Sequence, residues 1–516
     1  MTIRILPAIR HARPIGGMIF SVVLAAGLCA TASVRADDGK PVRGGTITVS
    51  QTADAQPRNI LTLRAGNSPW VKNVFETLTQ TDPETFEVKP LLAKSWKVAA
   101  DGLSMDIVLR DDVTFHTGRK MTAEDIKFTL ETMALPETAA QVGFIAKEFQ
   151  SIDVTSATTL TIKFKKPLAN IFDLFEEANV IDKETYAKRE DGSQVIGTGP
   201  FKFAKWSPGA SIMLERYDSY RDKSLPYLDS IEFAVITDST ASVSALRSGR
   251  SVMATGLSQN DLVEFTNNPQ YQFVNSGGTI FPLGVNVTKA PFDKKEVRQA
   301  LGYAIDRQRI NDQVFGGIGV PTDLFWGVGS PGYGKDQALH YGYDPKKAKA
   351  LVEKAGATGA KVPIVVPSIP ANRSIFEIVQ NNLKEIGLAP EAVVLDVADF
   401  DKRQVAGDLG PAFILIHGQV GFSTATLLSS LPSLRQGNPS GFWSDQYATL
   451  RNAVTAANSP EATDKAVKAL SDYMLDEAFS LSLVQTPGQT ILSDTVKGVK
   501  ATLRSQMLFG QAYLAE

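Results

Sequence analysis

The chain has 516 residues, with 53 Lys and Arg against 55 Asp and Glu, 43% hydrophobic content and one cysteine. Near-neutral charge without a basic stripe excludes the phosphate-backbone contacts on which nucleic-acid binding depends. One cysteine excludes internal disulfides and thiolate-built zinc sites, while this length without a low-complexity tract can bury more than one core, so two or three domains are expected.

In chain order, Arg4, Arg10 and Arg13 precede an apolar run at 18–30 (MIFSVVLAAGLCA). It is too short to cross a bilayer as a helix, which takes about 20 residues, and it reads as the core of a secretory signal. Val34-Arg35-Ala36 before Asp37-Asp38 places cleavage after Ala36, so residues 1–36 are the expected signal peptide. Cys29 and four arginines would leave with it, giving a thiol-free chain suited to an oxidising compartment and a net charge of about −6. Leu28 before Cys29 argues against lipidation, which normally follows a small residue.

Gly44-Gly45 followed by β-branched alternation predicts a first strand at 46–50. Residues 69–80 (PWVKNVFETLTQ) space Trp70, Val71, Val74, Phe75 and Leu78 as a helix would, with Ser68 as N-cap. Asp101-Gly102 marks a turn into a strand at 104–110, and Thr122 before Glu124 and Asp125 predicts a capped helix over 123–133. Residues 151–165 alternate like a strand pair, and 201–216 read as strands around Pro208-Gly209. Asp293-Lys294-Lys295-Glu296 reads as a capping box for a helix carrying Val297, Ala300, Leu301 and Ala304, and Asp344-Pro345 opens another helix that Gly356 closes. Further on, a strand at 361–366, a helix from Ser374 to Gly387 and a strand at 392–397 spell a βαβ unit with a right-handed crossover. The expected class is α/β.

Four pieces in order carry a resemblance: GGTITVSQ at 44–51, the block from Val74 to Glu131, GTGPFKF at 197–203, and LGVNVTKAPFDKKEVRQALGYAIDRQRI at 283–310. From the first strand onward the chain resembles the extracellular solute-binding proteins of family 5, the periplasmic dipeptide, oligopeptide, nickel, opine and sugar binders of ABC transporters. The resemblance implies a periplasmic-binding-protein-like α/β fold: a class II bilobal clamp with an extra inserted domain. Lobe I would comprise 43–80, 196–276 and 485–516; inserted domain II, 81–195; and lobe II, or domain III, 277–484. It implies a monomeric, non-enzymatic periplasmic protein without cofactor. That protein would capture a small peptide-like, opine-like or sugar-conjugate solute in the interdomain cleft and deliver it to an inner-membrane ABC permease with its ATPase.

In peptide-binding relatives an aspartate of the third domain pairs with the ligand's α-ammonium group. Here no acid occurs between Asp408 and Asp445, so a neutral or anionic ligand is expected, with Arg435 pairing to the anion. His417 and Gln419 fall in the segment that faces ligand in those relatives; Phe281, Trp326 and Trp443 are cleft candidates offering aromatic faces; Asn67 and Trp70 lie at the first strand-to-helix passage. Each has a plainer alternative: a loop charge for Arg435, core packing for His417 and the aromatics. A metal-complex carrier using His417 is a rival, opposed by the scarcity of histidines, four in all with His11 in the leader. A secreted hydrolase is opposed by the absence of G-x-S-x-G and H-E-x-x-H. The G-x-G-x-x-G at 327–332 contains Pro331 and lacks a strand-to-helix setting, so it reads as a glycine-rich loop.

Overall fold

The computed structural model describes residues 41–515 apart from Leu63, Ser258 and Asn267. The expected signal peptide, with His11 and Cys29, lies outside the described residues. Helices and strands are mixed along the chain, as the sequence pattern predicts.

Among the described residues, a mixed sheet of eleven strands runs through the molecule. Its order is Ala389–Leu395, Lys361–Pro367, Ala412–Ile414, Tyr271–Val285, Ser480–Ser493, Met253–Ala254, Thr46–Gln51, Ser230–Val235, Ser211–Arg216, Phe201–Ser207, with Val320–Pro321 added beside Ser480–Ser493. Two long antiparallel strands, Tyr271–Val285 and Ser480–Ser493, join its two ends. Leu283 to Val285 pair with Ala412–Ile414, whereas Ile491 and Leu492 pair with Met253–Ala254. Midway, the register shifts between Ser276 and Thr279. The intervening Gly277 and Gly278 have φ of +57° and +151°, and a Cβ on Gly278 would stand 2.6 Å from the Thr486 carbonyl oxygen. Only glycine combines that backbone with that approach.

A second, four-stranded antiparallel sheet orders Ala93–Val98, Ser104–Leu109, Thr159–Phe164 and Phe149–Ser156. It packs with helix Ala123–Ala134, where the predicted capping box forms: Asp125 accepts from the Thr122 N–H at 3.0 Å. Asp344 likewise caps Pro345–Lys354 by accepting from the Lys347 N–H at 2.9 Å. The βαβ unit is present, with parallel strands Lys361–Pro367 and Ala389–Leu395, but its helix Pro370–Glu385 begins at proline rather than at Ser374. Proline suits the first turn because the N–H it lacks would have no helical partner there.

Two local expectations fail. The segment 69–80 is helical over Val71–Val74 alone, and Phe75 turns extended. Trp70, Val74, Phe75 and Leu78 are all fully buried, so the apolar spacing reflects burial on every side rather than one helical face. Helix Lys295–Ala304 takes Lys294 as N-cap without a side-chain bond. Asp293 is held in the preceding turn, its N–H donating to the Lys289 carbonyl at 3.2 Å.

The GTGP segment has a steric reason. A Cβ on Gly197 would lie 2.0 Å from the Val74 carbonyl oxygen, and one on Gly199 would lie 2.4 Å from that of Asn73. Gly197→Ala is therefore expected to lower stability by about 1–3 kcal/mol, read as a shift in urea midpoint. Gly342→Ala, facing open space, should stay within about 0.5 kcal/mol.

Candidate functional site

Stretches far apart in sequence wall a cavity of ≈ 270 Å³, among them 61–62, 64–68, 177–179, 418–422 and 504–506. Asn67 stands in this wall with its amide already engaged. Its Oδ1 accepts from the Gln56 N–H at 2.8 Å, and its Nδ2 donates to the Gln56 and Asn59 carbonyls at 3.0 and 3.2 Å. The residue thereby clips 56–59 to the cavity edge. Gln419 differs. Its Oε1 accepts from Ser430 Oγ at 2.8 Å, which orients the amide and leaves Nε2 a donor without a partner among the described residues.

Beneath them lies a buried ion cluster. Arg504, 4% exposed, pairs with Asp173 at 2.5 Å and Glu176 at 2.7 Å, and its Nε is 3.7 Å from Glu177. Its guanidinium also covers the Phe422 ring at 4.4 Å. Burial alone would push Arg504 down, but the carboxylates of Glu176, Asp173 and Glu177 outweigh it and hold its pKa up. Lys72 donates to the Glu176 carbonyl at 2.5 Å, and burial pushes its ammonium down. Glu177, at the end of helix Ile171–Glu177, accepts from Gln506 Nε2 at 3.0 Å, and burial pushes its carboxyl up against the pull of Lys72 and Arg504.

Asp173 links this cluster to another part of the fold. It accepts from the Ser423 N–H at 3.1 Å and from the hydroxyls of Ser423 and Thr426, both at 2.5 Å. Ser423 is also the N-cap of helix Thr424–Ser430. On the far side of this partition lies a second cavity of ≈ 320 Å³, lined by Phe86, Met105, Phe164 and Phe172 among others, and sharing Gly421, Phe422 and Arg504 with the first. Among the described residues, no group of three or more His, Cys, Asp or Glu could hold a metal ion.

Of the sequence-predicted residues, the structure brings Asn67 and Gln419 together at the first cavity. The other six stand elsewhere. Trp70 is fully buried with Nε1 donating to the Gly66 carbonyl at 2.9 Å, because the turn folds over its ring. Phe281 packs on Phe315 in the core beneath 361–414. Trp326 donates to Ser471 Oγ at 2.7 Å and borders a void of ≈ 10 Å³, at most one water's space. Arg435 is exposed, and Trp443, 37% exposed, packs edge-on against Tyr447. Glu177, Asn179, Arg504 and Gln506 line the cavity and were not anticipated. The available signal was the acidic pair Glu176-Glu177 closing an apolar helix without a basic residue four positions away.

His417 is a core histidine, 7% exposed, with Nε2 at 3.1 Å from Ser433 Oγ. Burial lowers its pKa to about 4. The unfolded chain, with an ordinary value of about 6.5, takes up the proton first, so stability falls as pH drops from about 6.5 towards about 4. That window is worth about 3 kcal/mol for one such group. His417→Gln should flatten the acid limb by this amount in urea titrations at pH 7 and pH 4.

Residues 87–436 match the family model described as bacterial extracellular solute-binding proteins, family 5 Middle. Heme-binding protein A of Haemophilus influenzae is 26% identical over 467 residues, spanning 83% of this chain and 84% of that protein. HbpA2 of Haemophilus parasuis superposes with a TM-score of 0.81 at 21% identity, over 92% of this chain and 100% of its own. AgaA from A. tumefaciens R10, solved with agropinic acid, gives 0.72 at 24% identity over 92% and 99%. The two solved structures share the bilobal binding-protein fold.

Proposed function

Because the chain belongs to the bacterial extracellular solute-binding proteins of family 5, we propose that the ≈ 270 Å³ cavity is where it captures its solute. The observation that carries this reading is the origin of the walls. Residues near 67, 178, 420 and 505 converge on one space, as a site between lobes requires. In this reading lobe I comprises 43–80, 196–276 and 485–516, the inserted domain 81–195 and lobe II 277–484. The glycine bulge at 277–278, within the two long strands, is where the lobes flex. Closure follows from a solute that touches both lobes, since equal affinity for open and closed forms shifts nothing.

The protein is a monomer in the periplasm, cleaved after about Ala36, and passes its cargo unchanged to an inner-membrane ABC permease and its ATPase. Support for a small organic cargo comes from relatives named for heme and solved with agropinic acid. Asn67 holds the cavity edge and Gln419 Nε2 donates to the solute. Calorimetry on the solute carried through purification tests this. Gln419→Ala is expected to weaken binding about 3- to 10-fold, the worth of one neutral hydrogen bond, and unchanged affinity would overturn the assignment.

A further inference from the structure

The second cavity, of ≈ 320 Å³, has no part in the solute site proposed above. Its walls come from the hairpin that carries Phe86, from 167–173, from Ser330 and Pro331 in the glycine-rich loop, and from 421–425 and 457–460. Phe86, Phe164, Phe172 and Phe422 give it an aromatic lining. Phe86 holds a left-handed backbone with φ of 58°, uncommon for a bulky residue. Its ring reaches the glycine-rich loop, where a Cβ on Gly329 would stand 3.2 Å from it. Among the described residues, the charged side chains in this wall are Asp173 and Arg504, which pair with each other at 2.5 Å. The cavity therefore offers an occupant no unpaired charge.

One amide in the wall is out of keeping with the rest. Asn170 stands just ahead of helix Ile171–Glu177, where an asparagine commonly accepts a hydrogen bond from the first turn, yet it makes no such bond. It is 8% exposed and lines this cavity. Its carboxamide has no hydrogen-bond partner among the described residues. Thr424, buried in the same wall, likewise leaves its hydroxyl without one. Buried polar groups in native proteins are hydrogen-bonded. An amide and a hydroxyl left unmet in one apolar chamber call for an occupant that brings both a donor and an acceptor.

We propose that this cavity is a second binding site, for an uncharged aromatic molecule whose carboxamide, or a group of like donor and acceptor pattern, pairs with Asn170 and Thr424. The phenylalanines pack on the ring of the occupant, and the amide and hydroxyl orient its polar end, the division of labour usual in small-molecule sites. A charged occupant would lose its hydration and meet no free counter-charge. The Phe422–Arg504 contact divides this site from the ≈ 270 Å³ cavity, so the proposal stands whether or not that cavity holds the solute.

Fluorine NMR titration of the full chain with 4-fluorobenzamide, 4-fluorobenzoate and 4-fluorobenzylamine tests it, since the three share a ring and differ in charge. The expected result is that the amide binds at least about 10-fold more tightly than either ion, and that Asn170→Leu weakens it about 10-fold, the worth of a pair of neutral hydrogen bonds. Asn170→Leu without ligand should melt at or above the wild-type temperature, because an unmet amide is gone. Ala457→Phe, placed at a half-buried position in the same wall, should fill the chamber and abolish amide binding, a reading that does not depend on the Asn170 variant folding. Ions that bind as tightly as the amide, or amide binding that responds to Gln419→Ala and to neither of these variants, overturn the proposal. Absence of binding by all three probes also overturns it, as the result expected if Asn170 and Thr424 serve ordered water alone.

Discussion

Replacing Arg504 by methionine is expected to lower the free energy of unfolding by about 3–5 kcal/mol, the range for removing one partner of a buried ion pair. Three carboxylates would then face Lys72 alone, and Asp173 would keep the hydrogen bonds from Ser423 and Thr426 as its main compensation. Equilibrium urea denaturation measures the loss. The double variant Arg504→Met/Asp173→Asn should recover part of it, because the two residues share one contact and their effects cannot add. Additive effects would mean that the pair is uncoupled. Arg504 also forms part of the wall common to both cavities, so the single variant should bind solute more weakly at temperatures where it remains folded.

Arg307→Met is expected to be comparably destabilising, again by about 3–5 kcal/mol. Arg307 and Asp323 are 4% and 0% exposed and lie 2.5 Å apart. The arginine further donates to the Ser482 and Gly302 carbonyls at 3.1 and 2.9 Å, tying helix Arg307–Phe315 to strand Ser480–Ser493. Asp323 accepts from the Tyr341 N–H at 2.9 Å, and burial pushes its carboxyl up. Once Arg307 is lost, Asp323 has reason to take a proton, so the Arg307→Met variant should lose less stability at pH 5 than at pH 8. A deficit independent of pH would contradict the pairing. The proposed solute site should be little altered, since neither residue lines the ≈ 270 Å³ cavity.

Local chemistry made much of the fold legible. A hydroxyl three residues ahead of Asp125, and Asp344 ahead of Pro345, state where helices begin, because the signal and the bond it makes lie within one turn. The βαβ unit at 361–395 was readable for a similar reason: a one-sided apolar helix between two short apolar strands. Residues 69–80 misled because their periodic apolar side chains are buried on all sides, and periodicity reports burial before it reports helix. Strand order was not readable either. Thr46–Gln51 pairs with Ser230–Val235, about 184 residues away, and no local pattern encodes that distance.

The site divides along the same line. Gln419, expected from the segment that faces ligand in peptide-binding relatives, lines the ≈ 270 Å³ cavity. Phe281 and Trp326 were chosen for their aromatic faces and Trp70 for its place at the first strand-to-helix passage, and the apolar rings of all three are packed in the core. Glu177 and Arg504 escaped notice because acids and arginines are usually solvated. Their meeting depends on a contact across more than 300 positions, which the chain expresses only when folded.

Native mass spectrometry of the protein purified from its host tests the central claim most directly. The account predicts one small solute held without a covalent bond and lost on unfolding. A bare polypeptide mass under all gentle conditions, or cargo that survives denaturation as a covalent adduct, would contradict it.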